Sequence, residues 1–150
     1  MLKYAMPISA HVERIMTDQE LGAYCQEWAF WARTRRYLAP PVPPSIMAKL
    51  QVTDRGDWEP DGPMSADLSF FNMALHRIAD DDPDGGACFA LFYFHRAKNI
   101  KALAYDLGIG RQTFYDRMHR FARLAMKWTP TIKKVHLEAV SHVEDMAMAD

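Results

Sequence analysis

Apolar residues return at three- and four-residue intervals along most of the chain, and this spacing predicts an all-α fold built as one compact helical domain over residues 1–150. The first strong segment opens at Thr17, where a threonine cap followed by Glu20 three residues later forms a capping box. A helix from Asp18 to about Tyr37 is expected. Its Leu21, Tyr24, Cys25, Trp28, Trp31 and Ala32 make one stripe, and Glu27, Arg33, Arg35 and Arg36 lie mostly off it. Both tryptophans are therefore expected in the core. From Leu38 to Ser65 six prolines and two glycines predict a long loop or hinge, with room for a short helix at Ser45 to Leu50 and with Trp58 as its distal anchor. Ser65 then caps a helix to about Ile78 whose Leu68, Phe71, Leu75 and Ile78 should pack against the first. Asp82 and Pro83 read as the N-cap and first residue of another helix. The apolar run from Ala87 to about Lys98, with Phe89 through Phe94 at its centre, should be the central core helix.

The next segment changes character. After the capping residue Asn99, the stretch from Ile100 has the layout of a helix-turn-helix. Ala104 is small where two helices cross, Leu103 and Leu107 point inward, Gly108 permits a left-handed turn, and Ile109 plugs it. Phe114, Met118, Phe121, Ala125 and Trp128 then form the buried stripe of the second helix. That orientation leaves Arg111, Gln112, Tyr115, Asp116 and His119 outward in the half that enters a major groove in such motifs, with Arg120, Arg123 and Lys127 as a rail toward phosphates. Arg117 occupies a position that is often apolar in the motif. Asp116 would repel phosphate unless it accepts a hydrogen bond from a cytosine amino group or orders a neighbouring arginine. Thr129-Pro130 should break this helix and start a final one from about Thr131 to Met148, carrying Ile132, Val135, Val140, Val143 and Met146. The expected parts are a helical body over 17–98 with its loop at 38–65, a helix-turn-helix over 99–128, and a C-terminal helix over 130–148.

Charge distribution sharpens this picture. The formal net charge is only -1, yet residues 87–134 hold ten Lys/Arg against two Asp/Glu, while 1–86 hold eight against thirteen and 135–150 none against four. A basic block between acidic flanks is a local footprint for a polyanion, whereas the acidic parts limit indiscriminate binding and suit a basic protein partner. Cys25 and Cys88 are too few for a disulfide framework or a four-ligand zinc site, so the chain reads as reduced and cytoplasmic. Asp80 to Gly85 imitates the start of a calcium loop, but Leu91 stands where the bidentate glutamate belongs. Met1 to Ala10 has no apolar run of signal-peptide length, and no other run approaches a membrane span. No cofactor or metal is expected. The six histidines are scattered, no glycine-rich phosphate loop or serine elbow occurs, and an enzyme is not expected. His76 and Asp80 read as an ordinary helix pair.

The order of parts resembles a known family. A Trp28-x-x-Trp31 helix, the Pro43-Pro44-Ser45 loop, an apolar helix, an aromatic helix ending at Tyr93-Phe94 and the unit from Ile100 are similar to the lambdoid phage antitermination Q proteins of the phage 21 and phage 82 type, over about residues 18 to 126. The last third also resembles the promoter-recognising fourth domain of bacterial sigma factors. This resemblance implies a phage protein acting in the bacterial cytoplasm that binds double-stranded DNA in the late promoter region. It implies loading onto paused RNA polymerase, with sigma factor as a further partner, and readthrough of terminators in late genes. DNA contacts would fall on Arg111, Gln112, Tyr115, Asp116 and His119. The lambda branch carries a cysteine zinc site that this chain lacks. A phage activator working only at initiation and a small terminase subunit are the alternatives.

Overall fold

The computed structural model describes residues 16–50 and 66–148, and within them the chain is helical with no strand. The elements are α1 (Asp18–Thr34), a one-turn α2 (Pro44–Met47), α3 (Ala66–Asp81), α4 (Pro83–Phe89), α5 (Ile100–Leu107) and α6 (Arg111–Met148), with a wider π-helical segment, Ala90–Phe94, continuing α4. Ser65, Trp58 and the distal half of the proline-rich segment lie outside the described residues.

Local signals set several of these boundaries. Thr17 and Glu20 form the reciprocal capping box at α1, with Glu20 N–H donating to Thr17 Oγ1 and Thr17 N–H to Glu20 Oε1. At α4, Asp82 accepts from the Gly85 amide and Pro83 takes the first helical position, where its missing donor costs nothing. Asp81 pairs with Arg77 and Asp84 with Arg117, so this acidic run is engaged by the protein itself. His76 Nε2 lies 2.9 Å from the Leu38 carbonyl, which ties the chain after α1 to α3.

The core sits where α4 meets α3 and α6. Phe89 is fully buried and touches Trp28 of α1, Tyr93 of its own helix and Phe121 of α6, with ring centroids 5.3, 5.0 and 5.3 Å away. Close approach is possible because Gly86 has no side chain: a Cβ there would lie 3.1 Å from Ala79 Cβ and 3.5 Å from the Phe121 ring. Leu68, Phe71, Leu75 and Ile78 are buried as their spacing predicts, and Trp28 donates from its indole to Asn72 at 3.0 Å. Trp31 is buried too, with its indole N–H unpartnered. The thiols of Cys25 and Cys88 are buried, and burial pushes them up to about 12 and about 11, so both stay protonated at neutral pH.

Besides α1, which ends at Thr34 rather than near Tyr37, two expected boundaries and one expected burial are corrected. The aromatic helix begins at Pro83 and ends at Phe94 rather than near Lys98. Its end is fixed from outside, because the Arg33 guanidinium donates to the Tyr93 and Phe94 carbonyls at 3.2 and 3.1 Å, and Arg96 follows with φ of 52°. Burial, with Arg33 adding to it, lowers the His95 pKa beside this junction. Second, α6 does not break at Pro130 but runs unbroken for 38 residues, about 57 Å at 1.5 Å per residue. Pro130 is exposed, so water can satisfy the carbonyl it leaves without a donor, and the helix is held before it by the buried stripe ending at Ala125 and after it by contacts to α3. Those contacts are a Lys133–Asp67 ion pair at 3.5 Å and an edge-on stack of His136 with Phe70 at 5.4 Å. Third, Trp128 is 47% exposed, because the fully buried stripe of α6 closes at Ala125 and the body beyond it meets the helix through Ile132, Lys133 and His136 instead.

Arg33 supplies charged donors to two carbonyls at a helix end, an arrangement worth about 2 kcal/mol. Replacing it with alanine should lower stability by that amount in urea unfolding and leave the helical content unchanged in circular dichroism.

Candidate nucleic-acid interface

The geometry of α5 and α6 follows from three local devices. Asn99 Oδ1 accepts from the Ala102 amide at 3.1 Å and starts α5. Leu103 and Ala104 are buried, and the small alanine lies where α5 crosses toward α6. Gly108 then takes φ of 78° and ψ of 26°, which ends α5 in the left-handed conformation and reverses the chain within three residues. The Ile109 amide donates to the Ala104 carbonyl at 2.9 Å across the turn, and its half-buried side chain packs on the core.

Four core residues of α6, Phe114, Met118, Phe121 and Ala125, are buried at 2% exposure or less. Their register fixes what faces outward. Arg111, Gln112, Asp116, Arg120, Arg123 and Lys127 are exposed, whereas Tyr115 and His119 are half-buried at the edge of the face. Tyr115 stands edge-on to Phe92 with centroids 5.9 Å apart, which restricts its ring. From Arg111 to Lys127 the face is about 24 Å long.

The outward residues are not equivalent. Gln112 donates to Asp116 Oδ1 at 3.0 Å, so each is held by the other one turn away. Arg123 pairs with Asp18 in the first turn of α1. Arg117 is half-buried and reaches Asp84 at 3.9 Å, which accounts for a cation at a position that the motif usually makes apolar. Arg111, Arg120 and Lys127 have no ion-pair partner among the described residues. The exposed surface of this half of α6 therefore carries three cations without an ion-pair partner, Arg120 and Lys127 on one side and Arg111 half a turn away at the helix start, with a fourth cation matched by Asp18 and an amide–carboxylate pair.

The exposed residues of α5 include a cation and an aromatic. Lys101 and Tyr105 are exposed one turn apart, and Tyr105 at 83% is among the most exposed aromatic side chains described. Their four-residue spacing on the side of the helix away from Leu103 and Ala104 was a readable signal. Sequence reasoning passed over it in favour of the second helix. No helix among the described residues is long and apolar enough to cross a membrane. Comparison of the chain with protein-family models, curated proteins and solved structures finds no match.

A Cβ added at Gly108 meets nothing within 4 Å, so an alanine there is opposed only by its backbone conformation. Gly108→Ala should destabilise the protein by about 1 kcal/mol, and Gly108→Asn by less, because asparagine enters the left-handed region more readily. Equilibrium denaturation of both variants measures this difference.

Proposed function

We propose that this chain is a sequence-specific double-stranded DNA-binding protein without enzymatic activity, with α5 and α6 acting as a helix-turn-helix. The observation that carries this reading is the exposed cationic face on the first half of α6, held at a fixed angle by the left-handed turn at Gly108 and the buried Phe114–Phe121 stripe. A rigid exposed helix of this kind matches the dimensions of a major groove. Arg111 at the start of the face has the reach and the fork geometry to pair with guanine, and Gln112 can pair with adenine after releasing Asp116. Arg120 and Lys127 extend the face toward phosphates.

In the wider reading drawn from the resemblance to lambdoid Q proteins, the bound protein loads onto RNA polymerase paused near a late promoter and carries it past terminators. Partner contacts then belong to surfaces outside the DNA-reading face, including the proline-rich segment after Leu38, where Pro41, Val42, Pro43 and Pro44 line one side of a groove of about 300 Å³ completed by α4, Leu107 and Arg117.

Phosphate neutralisation releases counterions, so affinity for duplex DNA should fall steeply with salt. Alanine at Arg120 and Lys127 together should flatten the slope of log K against log salt by about 2 and weaken binding to all sequences alike. Alanine at Arg111 should instead reduce discrimination between sites by about 1 to 3 kcal/mol. A folded double variant with unchanged affinity and slope would remove α6 from the DNA interface.

Loading and readthrough are tested separately on one template that carries a pause site and a terminator. Arg111→Ala should fail to footprint at the promoter yet still support readthrough when loaded at high concentration. Substituting Pro41 and Pro44 with alanine should leave the footprint intact and abolish readthrough. A parent protein that raises initiation without any readthrough would reduce the reading to an activator.

A further inference from the structure

Beyond Ala125 the contacts of α6 with the body thin to half-buried Met126 and Ile132 and to Lys133 and His136, which reach Asp67 and Phe70, and the remainder of the helix is an arm. Residues 133–147 are all exposed, yet their composition is not that of a solvated helix. Val135, Leu137, Val143 and Met146 are 59, 51, 63 and 60% exposed, and Trp128 leads into them. Trp128, Ile132, Val135, Ala139 and Met146 follow one another at intervals of four, three, four and seven residues, and Val143 borders the one position of that repeat taken by a histidine, His142. This is the seven-residue spacing of a coiled-coil seam, over about 27 Å of helix. Ile132 is half-buried against the body, and the rest of the seam stands in water.

Charge along the arm identifies what covers it. Its proximal half carries Lys127, Lys133 and Lys134 with no acid between Lys127 and Leu137, and its distal half carries Glu138, Glu144 and Asp145 with no lysine or arginine. Pairing two such arms in parallel sets lysines against lysines and carboxylates against carboxylates. An antiparallel pair sets the basic half of each arm against the acidic half of the other, and the match occurs twice because the two-fold axis makes the interface self-complementary. The small Ala139 lies near the middle of the seam, where that axis falls and where the helices must approach most closely.

We propose that the α6 arm is a self-association surface, on which a second copy of this chain packs antiparallel along the seam of Trp128, Val135, Ala139, Val143 and Met146. The inference rests on the arm alone and is independent of the DNA reading. Its partner is another identical chain, because that sequence supplies both the apolar seam and the reversed charge order.

Sedimentation equilibrium of the full chain without DNA tests it. The mass should rise with concentration from 17.3 kDa toward twice that value. Val135→Asp with Val143→Asp lies far from the core, so circular dichroism should be unchanged while the protein becomes monomeric at every concentration. Lys133→Glu with Lys134→Glu should weaken the dimer at least tenfold, and adding Glu144→Lys with Asp145→Lys should restore it. The Asp67 ion pair is lost equally in both charge variants, so it does not confuse the comparison. A chain that stays monomeric at hundreds of micromolar, or a dimer indifferent to the aspartates, overturns the proposal. A dimer unaffected by the first charge reversal overturns the antiparallel arrangement.

Discussion

Everything that α6 presents depends on the packing of Phe89 against Trp28 and Phe121. These rings come from three helices far apart in sequence, and each is fully buried. Aromatic pairs at such distances contribute about 0.5 to 1.5 kcal/mol beyond the area they bury, and truncating a buried phenylalanine costs about 3 to 5 kcal/mol. More important here is direction. Once Phe121 is seated against Phe89, the rotation of α6 about its axis is set, and with it the choice of residues that face water. Gly86 permits this seat by letting α4 come within contact of α3 and α6 at once.

Two constraints transmit that rotation to the exposed face. One is the end of the aromatic helix, where Arg33 of α1 holds the Tyr93 and Phe94 carbonyls and so fixes where the chain turns into α5. The π-helical segment beside it places the His95 amide on the Ala90 carbonyl at 2.9 Å, a five-residue step that shifts the register of the aromatic residues. The other is Gly108, whose positive φ lets α6 start within three residues of the end of α5. A body built from α1, α3 and α4 thus aims a helix that contributes its own core stripe.

What the sequence made legible was local. The caps at Thr17, Asp82 and Asn99, the turn at Gly108 and the buried stripes of α1, α3 and the first half of α6 each arise from residues within a few positions of one another, and each appears where the spacing places it. Pro130 misled because a proline's effect depends on its surroundings: contacts from Asp67 and Phe70, about sixty residues earlier, hold the helix that continues beyond it. Trp128 misled because periodicity says which residues share a face and not which part of that face the neighbouring body covers: Ile132, Lys133 and His136 still meet it while Trp128 is left exposed. At the candidate site the exposure of Arg111, Gln112 and Asp116 was legible in the same way, Tyr115 and His119 are half-buried instead, and the internal pairing was only half legible. Gln112 and Asp116 are one turn apart and their pairing was open to inference, whereas the Arg123–Asp18 pair joins residues 105 positions apart and was not.

That long-range pair bears on how the face would meet a polyanion. Acidic residues of the body match several of the cations nearest to them: Asp18 takes Arg123, Asp84 takes Arg117 and Asp67 takes Lys133. Each of these cations must give up a carboxylate before it meets a phosphate, so part of its gain is offset, although the offset is small for exposed pairs in salt. Arg111, Arg120 and Lys127 give up only water and counterions. If the proposed DNA binding holds, the counterions released would come mainly from these three, and the acidic body would lower the attraction of the remaining basic block for other polyanions. A formal charge near zero and a strongly cationic helix are thus compatible within one chain. The acids pair with Arg117, Arg123 and Lys133 and leave Arg111, Arg120 and Lys127 without an ion-pair partner among the described residues.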